Sequence, residues 1–243
     1  MKIYGLVGKS LGHSFSKRFF TEKFASEGID ARYENFEIPE ISDFTGLIKS
    51  NSALNGLNVT IPYKEAIIPY LDELDEVARN IGAVNTIRFE GERLIGHNTD
   101  AHGFHASIKP FLRNIHERAL ILGTGGAAKA VAYVLQGLGI DVCYLSRTPN
   151  ETTTFAYEEA NENMFKAFKL IVNCTPIGTF PNVEAYPPIP TSFFTPDHLL
   201  VDLIYNPEET QLMKLAKANG AETINGYAML KHQALKAWDI WNK

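Results

Sequence analysis

Short apolar runs alternate along this chain with stretches in which apolar residues recur every three or four positions, the pattern of strands alternating with helices. Residues 3–7 read as a strand that ends in the polar turn 8–16. A helix is expected over residues 17–27, burying Phe19, Phe20 and Phe24, with Ser16 as its cap and Gly28 as its stop. Strands near 32–38 and 54–59 flank a helix near 41–49. Helical residues near 71–80 lead to a strand pair folded about Glu90-Gly91, whose return strand ends at Gly96-His97-Asn98-Thr99-Asp100. Asp100 heads a further helix that carries Phe104, Ile108 and Phe111.

The second half centres on residues 118–147, which read as strand, tight turn, helix, strand. The apolar run 119–122 passes straight into Gly123-Thr124-Gly125-Gly126-Ala127-Ala128. A helical pattern through Val131, Val134, Leu135 and Leu138 follows, then a second apolar run, 142–145. Beyond it, residues 152–157 hold strand-forming residues where a second crossover helix is expected. Buried strands are expected at 170–173 and 199–204, separated by the proline-rich segment 180–196. A helix near 208–219, a short strand holding Thr223 and Ile224, and a last helix over 227–241 complete the chain. Strands alternating with helices imply an α/β protein with mostly parallel sheets in two domains. The expected division is a first domain over 1–100, joined by the last helix (about 227–243), and a dinucleotide-binding domain of Rossmann type over 101–226.

Composition narrows the class. A chain of 243 residues that is 45% hydrophobic has ample material for packed cores. A net charge of -5, with Lys and Arg scattered, argues against nucleic acid as a partner. Cys143 and Cys174, the only cysteines, each fall in an apolar strand-like run and read as buried hydrophobes, so no disulfide is expected. His97, His102 and His105 imply no third ligand by their spacing, and no metal site is expected. The apolar run at the N-terminus is too short for a signal peptide and no window is long enough to span a membrane, so the expected location is the cytoplasm.

The candidate chemistry lies at the ends of the apolar runs. Gly123 permits the sharp turn after its strand, and Gly125 has no side chain to hold a pyrophosphate away from the backbone. Ala128 takes the third small position, where helix and strand pack closely. The next strand ends at Ser146-Arg147-Thr148; an arginine there suits a 2′-phosphate, and NADP is expected over NAD. Ser14 and Ser16, beside a helix N-terminus, offer two hydroxyls to a small carboxylate. Asn58, Thr60 and Lys64 fall where ligands gather in open α/β sheets, at the carboxyl end of a strand. Each residue alone also fits a cap, a turn former or a solvated charge.

Taken together the motifs resemble one family, the shikimate dehydrogenases of aromatic amino-acid biosynthesis. The resemblance rests on His13-Ser14-Phe15-Ser16, Asn58-Val59-Thr60-Ile61-Pro62-Tyr63-Lys64, Gly82-Ala83-Val84-Asn85-Thr86, Asn98-Thr99-Asp100 and Gly123-Thr124-Gly125-Gly126-Ala127. It continues through Ser146-Arg147-Thr148, Asn173-Cys174-Thr175, Asp202-Leu203-Ile204-Tyr205 and the run from Gly226 to Gln233. It implies reduction of the ring ketone of 3-dehydroshikimate to shikimate by NADPH, in a cleft between a substrate domain and a Rossmann domain, by a monomer or homodimer. Carried over by position, Ser14 and Ser16 hold the substrate carboxylate. Asn58, Thr60, Asn85 and Gln233 bond the ring hydroxyls with Tyr205 nearby, and Lys64 and Asp100 form the catalytic pair. Gly123, Thr124, Gly125, Gly126, Ala127, Ser146, Arg147, Thr148, Thr175, Leu203 and Gly226 are the implied cofactor contacts. The last helix is implied to return to the first domain with Gln233.

Ketone reduction calls for such a pair, because negative charge grows on the oxygen and a cation or acid must stand within reach of it. Departures from the family pattern also matter. Lys17 replaces the usual proline after the second serine, Ser146 replaces an asparagine, and Pro149-Asn150-Glu151 stands where a second basic residue is common. One arginine rather than two then meets a 2′-phosphate, and the helix that normally follows is expected to be missing. Two other readings fit the same motifs: a quinate/shikimate paralogue with relaxed substrate or NAD use, and a noncatalytic ligand-binding protein.

Overall fold

The computed structural model describes residues 1–12, 14–149 and 154–243. His13 of the first motif and residues 150–153, which include part of the expected strand at 152–157, lie outside them. The chain forms two compact units, residues 1–103 with 232–243, and residues 104–231.

The first unit contains β1 (Lys2–Gly8), α1 (Phe15–Glu27), β2 (Ala31–Glu37), α2 (Phe44–Ser50), β3 (Leu54–Val59) and α3 (Tyr63–Ala66). It continues with β4 (Glu73–Leu74), α4 (Glu76–Ile81), β5 (Thr86–Glu90), β6 (Arg93–His97) and the start of α5 (Asp100–Ile108). Its sheet runs in the order β2-β1-β3-β5-β6-β4. β1 is parallel to β2 and β3, and the hairpin β5-β6 joins β3 in the antiparallel sense. Val7, Phe44, Leu57, Ile67, Val84 and Ile87 fill one core.

Two expectations shift here. Helix α1 starts at Phe15, not 17, because extended Ser14 is its cap and accepts from Lys17 N at 3.1 Å. Ser16 instead turns inward in the first helical turn, 9% exposed. Residues 71–80 are only partly helical. Asp75 caps α4 by accepting from Ala78 N at 2.7 Å, and the residues before it bond to β6, Asp72 N to Leu94 O and Asp75 N to Gly96 O.

Residues 232–241 of the last helix, α9 (Tyr227–Trp241), belong to this unit. Trp241 donates its indole N–H to Ile87 O at 3.0 Å and lies on Gly56, where any Cβ would strike the ring. Tyr4 stacks on Trp241 with centroids 4.9 Å apart and meets Trp238 edge-on at 5.4 Å. Aromatic pairs of this kind add to the burial that holds the helix down.

The second unit is wholly parallel, in the order β12-β11-β10-β7-β8-β9. Its elements are β7 (Arg118–Leu122), α6 (Gly126–Gly137), β8 (Asp141–Ser146), β9 (Thr154–Ala156), α7 (Glu162–Ala167), β10 (Leu170–Asn173), β11 (Leu199–Asp202), α8 (Gln211–Ala218) and β12 (Glu222–Asn225). Ala119 to Leu122 and Leu170 to Val172 have no exposure, as strands covered on both faces require. The strand expected at 152–157 is present as β9, and the short helix α7, capped by Asn161 and anchored by Phe165, follows it and leads to β10. Helix α8 begins later than expected because Thr210 caps it, accepting from Met213 N at 3.3 Å. Cys143 and Cys174 are half-buried, not buried. Among the described residues no helix is long and apolar enough to cross a membrane.

Asp202, at the end of β11, is fully buried. It accepts from Asn173 Nδ2 at 3.0 Å, Ile204 N at 3.2 Å and Thr210 Oγ1 at 2.7 Å. Burial nevertheless outweighs those donors and pushes its carboxyl up to about 6 from 3.8. A carboxyl raised in the folded state contributes stability that is complete below its unfolded value and lost as pH rises through about 6. The ionised form therefore weakens the fold at neutral pH. Asp202→Asn is expected to flatten the change in urea midpoint between about pH 4 and pH 7; a slope equal to that of the wild type would contradict this.

Candidate functional site

The turn after β3 brings Lys64 onto α3, and the backbone of Lys64 is fixed by Val84 N, which donates to its carbonyl at 2.7 Å. Lys64 Nζ donates to Asp100 Oδ2 at 2.7 Å, the two side chains being 16% and 8% exposed. Asp100 stands in the first turn of α5, but the capping bond there belongs to Asn98, whose Oδ1 accepts from Ala101 N at 3.3 Å. The Asp100 carboxylate is thereby left to the lysine. Such a pair is strongly held only if its remaining oxygens find donors.

Asn85 supplies one. Its Nδ2 donates to Asp100 Oδ1 at 2.9 Å, with Thr99 Oγ1 at 3.1 Å and Gln233 Oε1 at 3.4 Å also in reach. Its Oδ1 accepts from Thr99 N at 2.7 Å, which fixes the amide's orientation. Gln233 Oε1 also accepts from Thr99 Oγ1 at 3.3 Å. Lys64, Asp100, Asn85 and Gln233 thus form one connected group. Thr86 and Thr99 join it, although sequence reasoning assigned them no role; their presence inside two of the quoted motifs was the available signal.

Ser14, Ser16, Asn58 and Thr60 belong to the same unit. The loop before α1 is held by β2, where Glu37 accepts from Leu11 N at 2.6 Å and Asn35 donates to Leu11 O at 3.0 Å. The Ser14 hydroxyl accepts from the backbone while keeping its own proton to donate. The Thr60 methyl lies so close to Gly8 that a Cβ there would come within 2.7 Å of it. Asn58 is 4% exposed and accepts from the Tyr33 hydroxyl at 2.7 Å; nothing in the sequence singled out Tyr33. Lys17 turns toward Glu34, with Nζ 3.5 Å from the carboxylate. His97 is engaged with Asp75 at 2.7 Å, and among the described residues no three His, Cys, Asp or Glu gather as metal ligands would.

The second unit holds the remaining predicted residues. Gly123 has φ of 94°, which only glycine adopts without strain, and a Cβ there would come within 3.1 Å of the Thr175 methyl. Gly125 caps α6 without a side chain, so the helix's first N–H groups are uncapped, and a Cβ built on it meets nothing within 4 Å. The open space at Gly125, the small residues Gly126 and Ala127 and the buried Ala128 fit a pyrophosphate at a helix N-terminus. Thr124 is exposed within the same turn. At the tip of β8, Ser146 Oγ accepts from Thr148 N at 3.2 Å, and Arg147 is exposed between them.

Asn173 orders the tip of β10, its Oδ1 accepting from Thr175 N at 3.0 Å and Thr175 Oγ1 at 2.7 Å. Gly226 donates to Ile204 O at 3.0 Å and crosses so close to Leu203 that any Cβ would strike the Leu203 carbonyl. Tyr205 follows, half-buried. Gly123, Thr175, Leu203 and Gly226 therefore lie at the carboxyl ends of neighbouring parallel strands β7, β10, β11 and β12.

Comparison with known proteins agrees along the whole chain. A family model for the shikimate dehydrogenase substrate binding domain matches residues 6–87. The shikimate dehydrogenase (NADP(+)) of Methanosphaera stadtmanae is 37% identical over 257 residues, covering 98% of this chain and 90% of the relative. Shikimate dehydrogenase 1 from Peptoclostridium difficile is 38% identical with a TM-score of 0.86, covering 100% of this chain and 92% of the other. The shikimate 5-dehydrogenase of Thermus thermophilus, solved with NADP(H) and shikimate, is 33% identical with a TM-score of 0.87, covering 99% and 93%. Identity of this extent over both units leaves one conclusion: the chain belongs to the shikimate dehydrogenase family.

Proposed function

We propose that the protein is an NADP-dependent shikimate dehydrogenase that interconverts 3-dehydroshikimate and shikimate. The observation that carries this reading is the Lys64–Asp100 pair at 2.7 Å, braced by Asn85. When bound, NADPH supplies the hydride to the ring carbonyl carbon. As charge grows on the carbonyl oxygen, Lys64 stabilises it with the protons not given to Asp100. Asp100 keeps the ammonium from swinging away and accepts from the hydroxyl next to the reacting carbon. Ser14 and Ser16 donate to the substrate carboxylate, while Asn58, Thr60, Asn85 and Gln233 orient the ring, with Tyr205 nearby.

The nucleotide half of the reading is supported by the open turn at Gly125 and by the arginine at the tip of β8. In it, residues 123–127 hold the pyrophosphate and Ser146, Arg147 and Thr148 hold the 2′-phosphate. Thr175, Leu203 and Gly226 line the nicotinamide end. The enzyme works as a monomer or homodimer in the cytoplasm.

Absorbance at the reduced-nicotinamide band, with shikimate and NADP+, tests the assignment. Lys64→Ala is expected to lower kcat by about 100-fold to 10,000-fold with shikimate affinity largely kept. Retention of most of the turnover would contradict its role. Arg147→Ala is expected to cut the preference for NADP+ over NAD+ by about 10-fold to 100-fold, the worth of a charge-assisted hydrogen bond. An unchanged ratio of kcat/KM values would remove the β8 tip as selector.

A further inference from the structure

Asn173 and Asp202 face each other at the ends of the paired strands β10 and β11, and neither is exposed to solvent. The Asn173 side-chain oxygen accepts from Thr175 N at 3.0 Å and from the Thr175 hydroxyl at 2.7 Å. Its amide nitrogen donates to Asp202 Oδ1 at 3.0 Å, an oxygen that also accepts from Ile204 N at 3.2 Å. A backbone N–H only donates and an amide oxygen only accepts, so the Asn173 amide has one orientation. A threonine hydroxyl has one proton, and here Asn173 takes it, while the Thr175 oxygen accepts from Ile177 N at 3.3 Å. Thr175 therefore has no proton left for a ligand. With its hydroxyl turned to Asn173, its methyl lies at Gly123, where a Cβ would come within 3.1 Å of it.

We infer that Asp202 and Asn173 are positioning residues for the dinucleotide, locking Thr175 in the rotamer whose methyl backs the Gly123 turn. The inference rests on the proposed reading of residues 123–127 and Thr175 as cofactor contacts, and it gives Thr175 a definite part there. Thr175 acts through its methyl and not as a hydrogen-bond donor to the nucleotide. The backbone of this tip is pinned independently, Cys174 N to Leu122 O at 3.0 Å and Leu203 N to Asn173 O at 3.0 Å. What the side chains add is the direction of one β-branched residue. Truncating Asp202 strands the buried Asn173 amide hydrogens. A stranded buried donor costs more than the bond to a half-buried hydroxyl returns, so the amide turns to another acceptor and its oxygen leaves Thr175. The threonine then rotates, and its methyl no longer supports a turn that depends on Gly123 holding φ of 94°.

The test is calorimetry with NADP+ and with adenosine 2′-phosphate, alongside shikimate and NADP+ kinetics, for wild type, Asp202→Ala, Asp202→Asn, Asn173→Ala and Thr175→Ser. Asp202→Ala and Asn173→Ala are each expected to raise the NADP+ Kd and KM about tenfold, with the shikimate KM within about twofold. Adenosine 2′-phosphate carries neither pyrophosphate nor nicotinamide and is expected to bind every variant as it binds wild type, which a general loss of structure would not allow. Asp202→Asn keeps an oxygen for Asn173 and is expected to hold the NADP+ Kd within about threefold of wild type. Thr175→Ser keeps the hydroxyl, loses the methyl, and is expected to weaken NADP+ about as much as Asn173→Ala. An unchanged NADP+ Kd in Asn173→Ala would overturn the inference, and so would one in Thr175→Ser, which would make the hydroxyl the working group. If Asp202→Ala does not fold, Asn173→Ala carries the same test, because it leaves Asp202 its bonds from Ile204 and Thr210. Wild-type protein that binds NADP+ without turning over shikimate contradicts the proposed function alone; absence of NADP+ binding overturns both.

Discussion

The first unit depends on how a lysine and an aspartate are kept together mostly out of water. Withdrawing both charges from solvent costs more than their attraction returns unless the remaining oxygens are also satisfied. Asn85 meets that demand for Asp100, and Thr99 N holds Asn85 in the orientation that lets it do so. The group draws on α3, the stretch before β5, the turn into α5 and the last helix. Its geometry is set by the sheet beneath it, and the aromatic contacts of Tyr4 with Trp238 and Trp241 fix the helix that carries Gln233.

The second unit answers a different constraint. Its strands are parallel and the central ones, β7, β10 and β11, are buried on both faces, so polar groups there are confined to their ends. In the proposed reading the backbone itself is the recognising surface there. Gly123 needs a conformation that side chains resist, Gly125 faces open space, and Gly226 crosses another strand's end where no side chain fits. Beneath these turns the buried carboxylate of Asp202 gathers donors from β10, the turn after β11 and the cap of α8. One carboxyl thus reinforces the β10–β11 pairing and joins the end of β11 to the cap of α8.

Much of this was legible in the chain. Apolar runs located the strands of both sheets, and the glycine turn with its following helix marked the dinucleotide unit. The misplacements have local causes. Ser14 and Ser16 are both good capping residues, and the choice between them depended on which one the packing of Phe15 and Phe20 turned inward. Helix α7 is too short for its apolar period to show, and a single buried Phe165 anchors it. Tyr33, Thr86 and Thr99 were missed for a deeper reason. Their partners are set by the sheet and not by sequence spacing, as in the bond from Tyr33 to Asn58 across strands of one sheet. No periodicity records such a bond.

The central claim is that Lys64 and Asp100 act as one unit and not as two independent contacts. It is tested most directly by initial rates of NADP+ reduction with shikimate for wild type, Lys64→Met, Asp100→Asn and the double variant. The expected result is that the double variant is about as slow as the slower single one, because either change already dismantles the pair. Losses that multiply would contradict the account, since two residues contributing separately would then lie 2.7 Å apart without depending on each other.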